Sequence, residues 1–231
     1  TKALHLEETV KNLKEKIDLK SPIITIQSGL GAGDIILEHL PKNNIILGVA
    51  EGFGASGKAP GRVTHTANKQ IRLGSISKKV RESELQDIVE VWRNGGLKTE
   101  VYENIEQLIW EKLLCNVTLS GPCSIFKCNV EELYNNKEKW TFALNCMEEA
   151  YSVGLARGIP FSFDDPIAYV TDFAKRVGSA KPSMLQDYET KRKTEIDFIN
   201  GAILPLAAEL KVPTPFNSKV CKIIHDAEKN F

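Results

Sequence analysis

The sequence predicts an α/β sheet domain over residues 1–103 followed by an all-helical domain over 104–231. Two observations carry the division. Up to Tyr102, apolar runs of strand length alternate with stretches of helical periodicity, and from Asn104 onward the periodicity is helical almost throughout. A third observation concerns the beginning. The chain opens at Thr1-Lys2-Ala3, and the strand expected before the first helix is nearly absent. The sheet therefore reads as the later part of a doubly wound one, with roughly 60–70 further residues (two βαβ units) expected upstream.

Each element has its own signal. Residues 7–18 have helical periodicity. Residues 22–27 (PIITIQ) read as a short buried strand, followed by a glycine-rich turn at 28–33 and a short helix through Leu40. Residues 44–50 (NIILGVA) form a second apolar strand. Residues 62–67 and 70–75 read as an antiparallel pair turning at Asn68-Lys69. Residues 82–93 are helical and 97–102 a strand. The helical half divides into 104–119, 138–157, 164–177, 194–210 and 215–229. Thr214 is the expected N-cap of the last, with Pro215 at its first position. Pro205 predicts a kink near Gly201.

Composition narrows the function classes. Apolar content of 42% and charged content of 26% suit a globular protein. Thirty basic residues balance thirty acidic ones, so neither nucleic acid nor an anionic membrane surface is an expected partner. No apolar run approaches the roughly 20 residues of a membrane span. Five cysteines without CxxC spacing, and no visible signal peptide, lead to the expectation of reduced thiols and a cytoplasmic location. The four scattered histidines suggest no metal site.

Two polar anomalies point to chemistry. On a helix over 104–119, Ile105, Leu108, Ile109, Lys112 and Asn116 share one stripe, with Glu106, Gln107 and Glu111 opposite. A lysine on an apolar face is snorkelling, paired or used. On a helix over 194–210, Glu195 lies on a stripe with Ile199, Ala202 and Leu206. Lys112 and Glu195 thus read either as an ion pair joining two helices or as facing walls of a polar active site. Two glycine-rich stretches, 29–34 and 52–58, do not read as phosphate cradles. The first puts Asp34 where a pyrophosphate would sit, and the second runs into Ala59-Pro60-Gly61, where no helix can start. Both are expected to be tight turns at the carboxyl ends of strands, where ligands dock in open sheets.

Longer blocks carry a family resemblance. Trp110-Glu111-Lys112-Leu113-Leu114-Cys115-Asn116 resembles the W-x-K-L-x-x-N helix of the ketopantoate reductase family. Ser183-Met184-Leu185-Gln186-Asp187, followed by Thr194-Glu195-Ile196-Asp197-Phe198-Ile199-Asn200-Gly201, resembles its S-M-x-Q-D…T-E-I-D-x-x-N-G signature. Val212-Pro213-Thr214-Pro215-Phe216-Asn217 and Gln27-Ser28-Gly29-Leu30-Gly31 are similar to two further blocks, all in family order.

The resemblance implies a Rossmann-type domain, its N-terminal part missing here, and a helical domain of the 6-phosphogluconate dehydrogenase-like kind. It implies reduction of 2-oxopantoate to pantoate by NADP(H), in pantothenate and coenzyme A biosynthesis. Lys112 would be the general acid. Glu195 would bind a substrate hydroxyl and approach the nicotinamide ribose. Asn116, Ser120 and Ser183 would hold substrate, and Lys2, Ser28 and Gly54 would lie at the cofactor. Ser28, Ser120 and Ala180 depart from the family's polar residues at their positions. A different 2-oxo acid, another reductase of the same architecture, or a non-catalytic NADP-binding relic stay open as alternatives. The apolar-rich helical domain is compatible with a homodimer.

Overall fold

The computed structural model describes residues 1–18, 21–40, 44–75 and 80–231. Two compact units emerge. One contains Thr1 and residues 5–27 and 32–109, the other residues 2–4, 28–31 and 110–231.

A 3-10 turn over Ala3–His5 leads into the first unit, whose elements are α1 (Leu6–Leu13), β1 (Ile23–Thr25), α2 (Ala32–His39), β2 (Ile45–Ala59), β3 (Arg62–Ser75), α3 (Glu82–Asn94) and β4 (Thr99–Val101). Among the described residues the sheet order is β1-β2-β3-β4. The outer pairs are parallel and the central β2–β3 pair is antiparallel. Alternate residues of β2 serve opposite faces, as the period of two requires. Ile45 packs with Leu6 and Val10 of α1, Ile36 of α2 and Leu40 just after it, whereas Ile46 packs with Leu85 and Val89 of α3. Helices thus cover both faces of a mixed sheet.

The strand readings need two corrections. β3 is one strand through Asn68-Lys69, and the hairpin turns instead at Pro60-Gly61, with Gly61 at φ +73°. Proline pre-sets one turn position and glycine alone takes the positive φ without strain, so Pro-Gly is the better turn former. The second glycine-rich stretch, 52–58, is correspondingly part of β2 and not a loop. β1 and β4 reach only residues 45–47 and 71–73, so the rest of β2 and β3 forms a two-stranded ribbon.

The helices that follow are α4 (Ile105–Phe126), α5 (Val130–Asn135), α6 (Lys137–Ala156), α7 (Pro166–Val177) and α8 (Ser183–Glu189). A 3-10 turn over Ile196–Phe198, α9 (Ile203–Leu210) and α10 (Pro215–Glu228) complete the chain. Side-chain caps at Asn129, Asn136 and Asp165 start α5, α6 and α7. Trp110, Leu113, Leu114, Val117, Met147, Ile196, Ile203, Val220 and Ile224 build a shared helical core.

Three helix readings change. α4 runs through Gly121 and Pro122 well beyond residue 119. The single helix over 194–210 is a 3-10 turn and a short α9, and Pro205 falls in the first turn of α9, where a missing N–H disturbs nothing. Thr214 makes no cap hydrogen bond. The Glu149 carboxylate of α6 accepts from the Phe216 and Asn217 amides instead, at 2.8 and 2.9 Å.

Candidate active site

α4 is enclosed on nearly every side. From Trp110 to Ser124 each residue is buried except Lys112 and Asn116, which are half-exposed. The two stand one turn apart on one face and mark an opening in the packing. Ser120, a turn further, is 5% exposed. Glu111, expected to face solvent, is 4% exposed, and its carboxylate accepts from the Ser162 amide at 2.8 Å. A helix surrounded by others has no solvent face, so the stripe seen in the sequence becomes a window in a buried rod.

Glu195 lies just before the 3-10 turn and not on a helical stripe. It is half-exposed, and its Oε1 accepts from the Ala3 amide at 2.9 Å. Lys2 forms an ion pair with Asp187, whose side chain is 3% exposed and also accepts from Arg192 Nε at 3.0 Å. Ser183 opens α8 and is exposed. Pro182 occupies the cap position, with no side-chain cap bond, so a capping role for the Ser183 hydroxyl is not what the structure shows. Asp187 follows on the same face of α8 one turn later.

The first glycine-rich turn is tied to the same region. Gly29 sits at φ +92°, and a Cβ there would lie 2.0 Å from the Phe198 carbonyl oxygen. The next amide, Leu30, donates to that oxygen at 2.9 Å. Ser28, half-buried, precedes this junction. Residues Lys2, Ser28, Lys112, Asn116, Ser120, Ser183 and Glu195 therefore all belong to the helical unit. Gly54 does not: it lies in β2 of the sheet unit, opposite Ala67 at a bulge.

Sequence reasoning gave no role to a buried amide network. Asn200 and Asn217, both wholly buried, bond to each other at 2.9 Å, and Asn217 Nδ2 donates to Glu149 at 2.7 Å. Both asparagines lay in motif blocks. The available signal was a polar residue spaced among apolar ones. Thr194 is likewise buried, its amide and hydroxyl bound to Glu228 at 2.8 and 2.7 Å. Among the described residues no group of three His, Cys, Asp or Glu could hold a metal ion, and no helix is long and apolar enough to cross a membrane.

Chemically, this face of α4 offers an ammonium at Lys112 and a carboxamide at Asn116, and the half-exposed Glu195 offers a carboxylate as acceptor. Known proteins resemble the chain over nearly its whole length. Residues 104–228 match the model of the family described as "Ketopantoate reductase PanE/ApbA C terminal", and residues 1–78 match that of "Ketopantoate reductase PanE/ApbA". A 2-dehydropantoate 2-reductase of Streptococcus pyogenes is 28% identical over 229 residues, covering 99% of this chain and 74% of the relative. One from Archaeoglobus fulgidus is 27% identical over 227 residues, covering 98% and 74%. The ternary structure of D-mandelate dehydrogenase with NADH and anilino(oxo)acetate superposes with a TM-score of 0.90 at 25% identity, covering 100% of this chain and 75% of the other.

Proposed function

The chain belongs to the ketopantoate reductase family of oxidoreductases acting on CH–OH groups, and on that premise we propose that it reduces 2-oxopantoate to pantoate with NADPH. The observation that carries the reading is the pair Lys112 and Asn116, left half-exposed by an otherwise buried stretch of α4. A lysine ammonium beside a carboxamide suits a ketone that gains negative charge on its oxygen.

Each residue has a task in this reading. Lys112 Nζ polarises the C2 carbonyl and gives a proton to the alkoxide as it forms. Asn116, on the same face, orients the substrate by hydrogen bonding. The exposed Ser183 hydroxyl, unused as a helix cap, donates to the substrate carboxylate. Glu195, held from behind by the Ala3 amide, accepts from a substrate hydroxyl. Ser120 is more enclosed than Asn116 and closes the far end of the face.

The chain's residues fit a nicotinamide cofactor. The β1–α2–β2 crossover is parallel, and the turn after β1 holds Ser28 between the strand and the positive-φ Gly29. Ser28 and Glu195 offer a hydroxyl and a carboxylate to a nicotinamide ribose, with Lys2 as a further contact. When bound, the cofactor supplies hydride. A second reading, reduction of a different 2-oxo acid, draws on Ser28 standing where the family has asparagine and on the likeness to D-mandelate dehydrogenase.

The test is turnover by the natural full-length protein, followed as NADPH or NADH absorbance with 2-oxopantoate and with 2-oxo acids bearing other side chains. Lys112→Ala is expected to lower kcat by about 10²–10⁴-fold, the usual contribution of a general acid. Turnover confined to another acid would support the second reading. Cofactor binding without any turnover would overturn both.

A further inference from the structure

The proposed site is built from two segments. Lys112 and Asn116 ride on α4, and Glu195 lies ahead of the 3-10 turn. The buried Asn200 joins these segments. Its Nδ2 donates to the Val117 carbonyl oxygen at 3.1 Å and to Asn217 Oδ1 at 2.9 Å. Val117 directly follows Asn116. Both partners of Nδ2 are acceptors, so together they dictate which way the amide points. Asn217 is itself held, its Nδ2 donating to the Cys146 carbonyl at 2.9 Å and to Glu149 at 2.7 Å. One chain of amides thus connects α4, α6 and α10 to the segment carrying Glu195.

The contact with α4 is close on its other side too. A Cβ at Gly121 would lie 2.6 Å from Asn200 Oδ1. That oxygen is buried with no hydrogen-bond partner among the described residues. A side chain serving only to fill space would not bring an unpaired oxygen with it.

We propose that Asn200 is a positioning residue for the reductase reaction, its amide setting the register of Lys112 and Asn116 on α4 against Glu195. It touches no reacting atom and acts through the Val117 carbonyl. The inference rests on the reductase reading above.

Two variants test it in the natural full-length protein. Asn200→Asp keeps the size of the side chain and removes the Nδ2 donors. Gly121→Ala presses on the amide, and equally on the Val220 side chain, while leaving residue 200 unchanged; Val220→Ala, which relieves the second contact, is made beside it. Misplacement of about 1 Å can cost about 100-fold in rate, so Asn200→Asp and Gly121→Ala are each expected to lower kcat per folded molecule at least about tenfold and to raise KM for the 2-oxo acid, with KM for NADPH held within about twofold. The folded fraction is read by circular dichroism. A lower Tm with kcat and both KM values unchanged per folded molecule would show a purely structural amide and overturn the proposal. If Asn200→Asp does not fold, Gly121→Ala decides by the same split. Absence of turnover in the unsubstituted protein would sink the reductase reading and this inference with it, whereas turnover that both variants retain sinks the inference alone.

Discussion

Asp187 shows how far a single residue can be read before its surroundings are known. It stands in a motif block between Gln186 and Tyr188, and nothing in its spacing says that it is buried. In the fold it carries two cations, Lys2 on one oxygen and Arg192 on the other, with its own side chain 3% exposed. Lys2 and Arg192 remain 43% and 59% exposed, so their ammonium and guanidinium keep much of their hydration. Loss of either cation leaves the carboxylate its other partner, whereas loss of the carboxylate removes both ion pairs. Asp187→Ala removes both charge-assisted bonds together, and is expected to cost about 1–3 kcal/mol in urea unfolding. Arg192→Ala removes an exposed partner and should change stability by less than about 1 kcal/mol. Equal losses in the two variants would contradict this ordering. Lys112 and Asn116, by contrast, were legible from their spacing on an apolar face, because a polar residue among apolar ones is itself the signal.

Among the elements, what was legible followed period and punctuation. The strands at 23–25 and 99–101 and the helix Glu82–Asn94 lie within a few residues of the expected ranges. Alternation runs through 62–75 without showing where pairing begins, so period alone does not place the hairpin turn at Pro60-Gly61. α4 was cut short because Gly121 and Pro122 are helix breakers by propensity, and burial against the neighbouring helices overrides propensity. Glu195 was placed on a helix that does not form, since Pro205 belongs to a first turn and not to a helix interior.

The turn 28–31 offers a test at this scale. Gly29 and Gly31 both have φ near +90°. An alanine at either carries the strain of a positive φ, roughly 1–2 kcal/mol. Only at Gly29 does the added Cβ also meet the Phe198 carbonyl, whereas at Gly31 it meets nothing within 4 Å. Gly29→Ala is thus expected to be clearly the more destabilising of the two, and to lower kcat as well, because the Leu30–Phe198 bond beside Glu195 must give way. Indistinguishable melting temperatures for the two variants would mean that the junction yields without loss.

At the scale of the whole molecule, the buried thiols are groups whose protonation differs between folded and unfolded chains. All five cysteines are free and buried, and all lie in the helical unit. Burial pushes the Cys115 and Cys221 thiols from 9.0 up to about 12, and pushes Cys123, Cys128 and Cys146 upward as well. The sign follows from proton counting. Below pH 9 the thiols are protonated in both states and their contribution is fully present. Above it, the unfolded chain gives up thiol protons that the folded chain keeps, so stability is lost as pH rises from 9.0 towards about 12. Each thiol can contribute a slope of up to about 1.4 kcal/mol per pH unit in that window. The difference between two proteins that differ only at these thiols is the informative quantity. Urea midpoints of the parent are expected to fall more steeply between pH 9 and 11 than those of a Cys115→Ser, Cys221→Ser double variant, with parallel curves between pH 6 and 8. Parallel curves throughout would mean that these two thiols ionise alike in both states, and that the helical core is more open to water around them than their burial indicates.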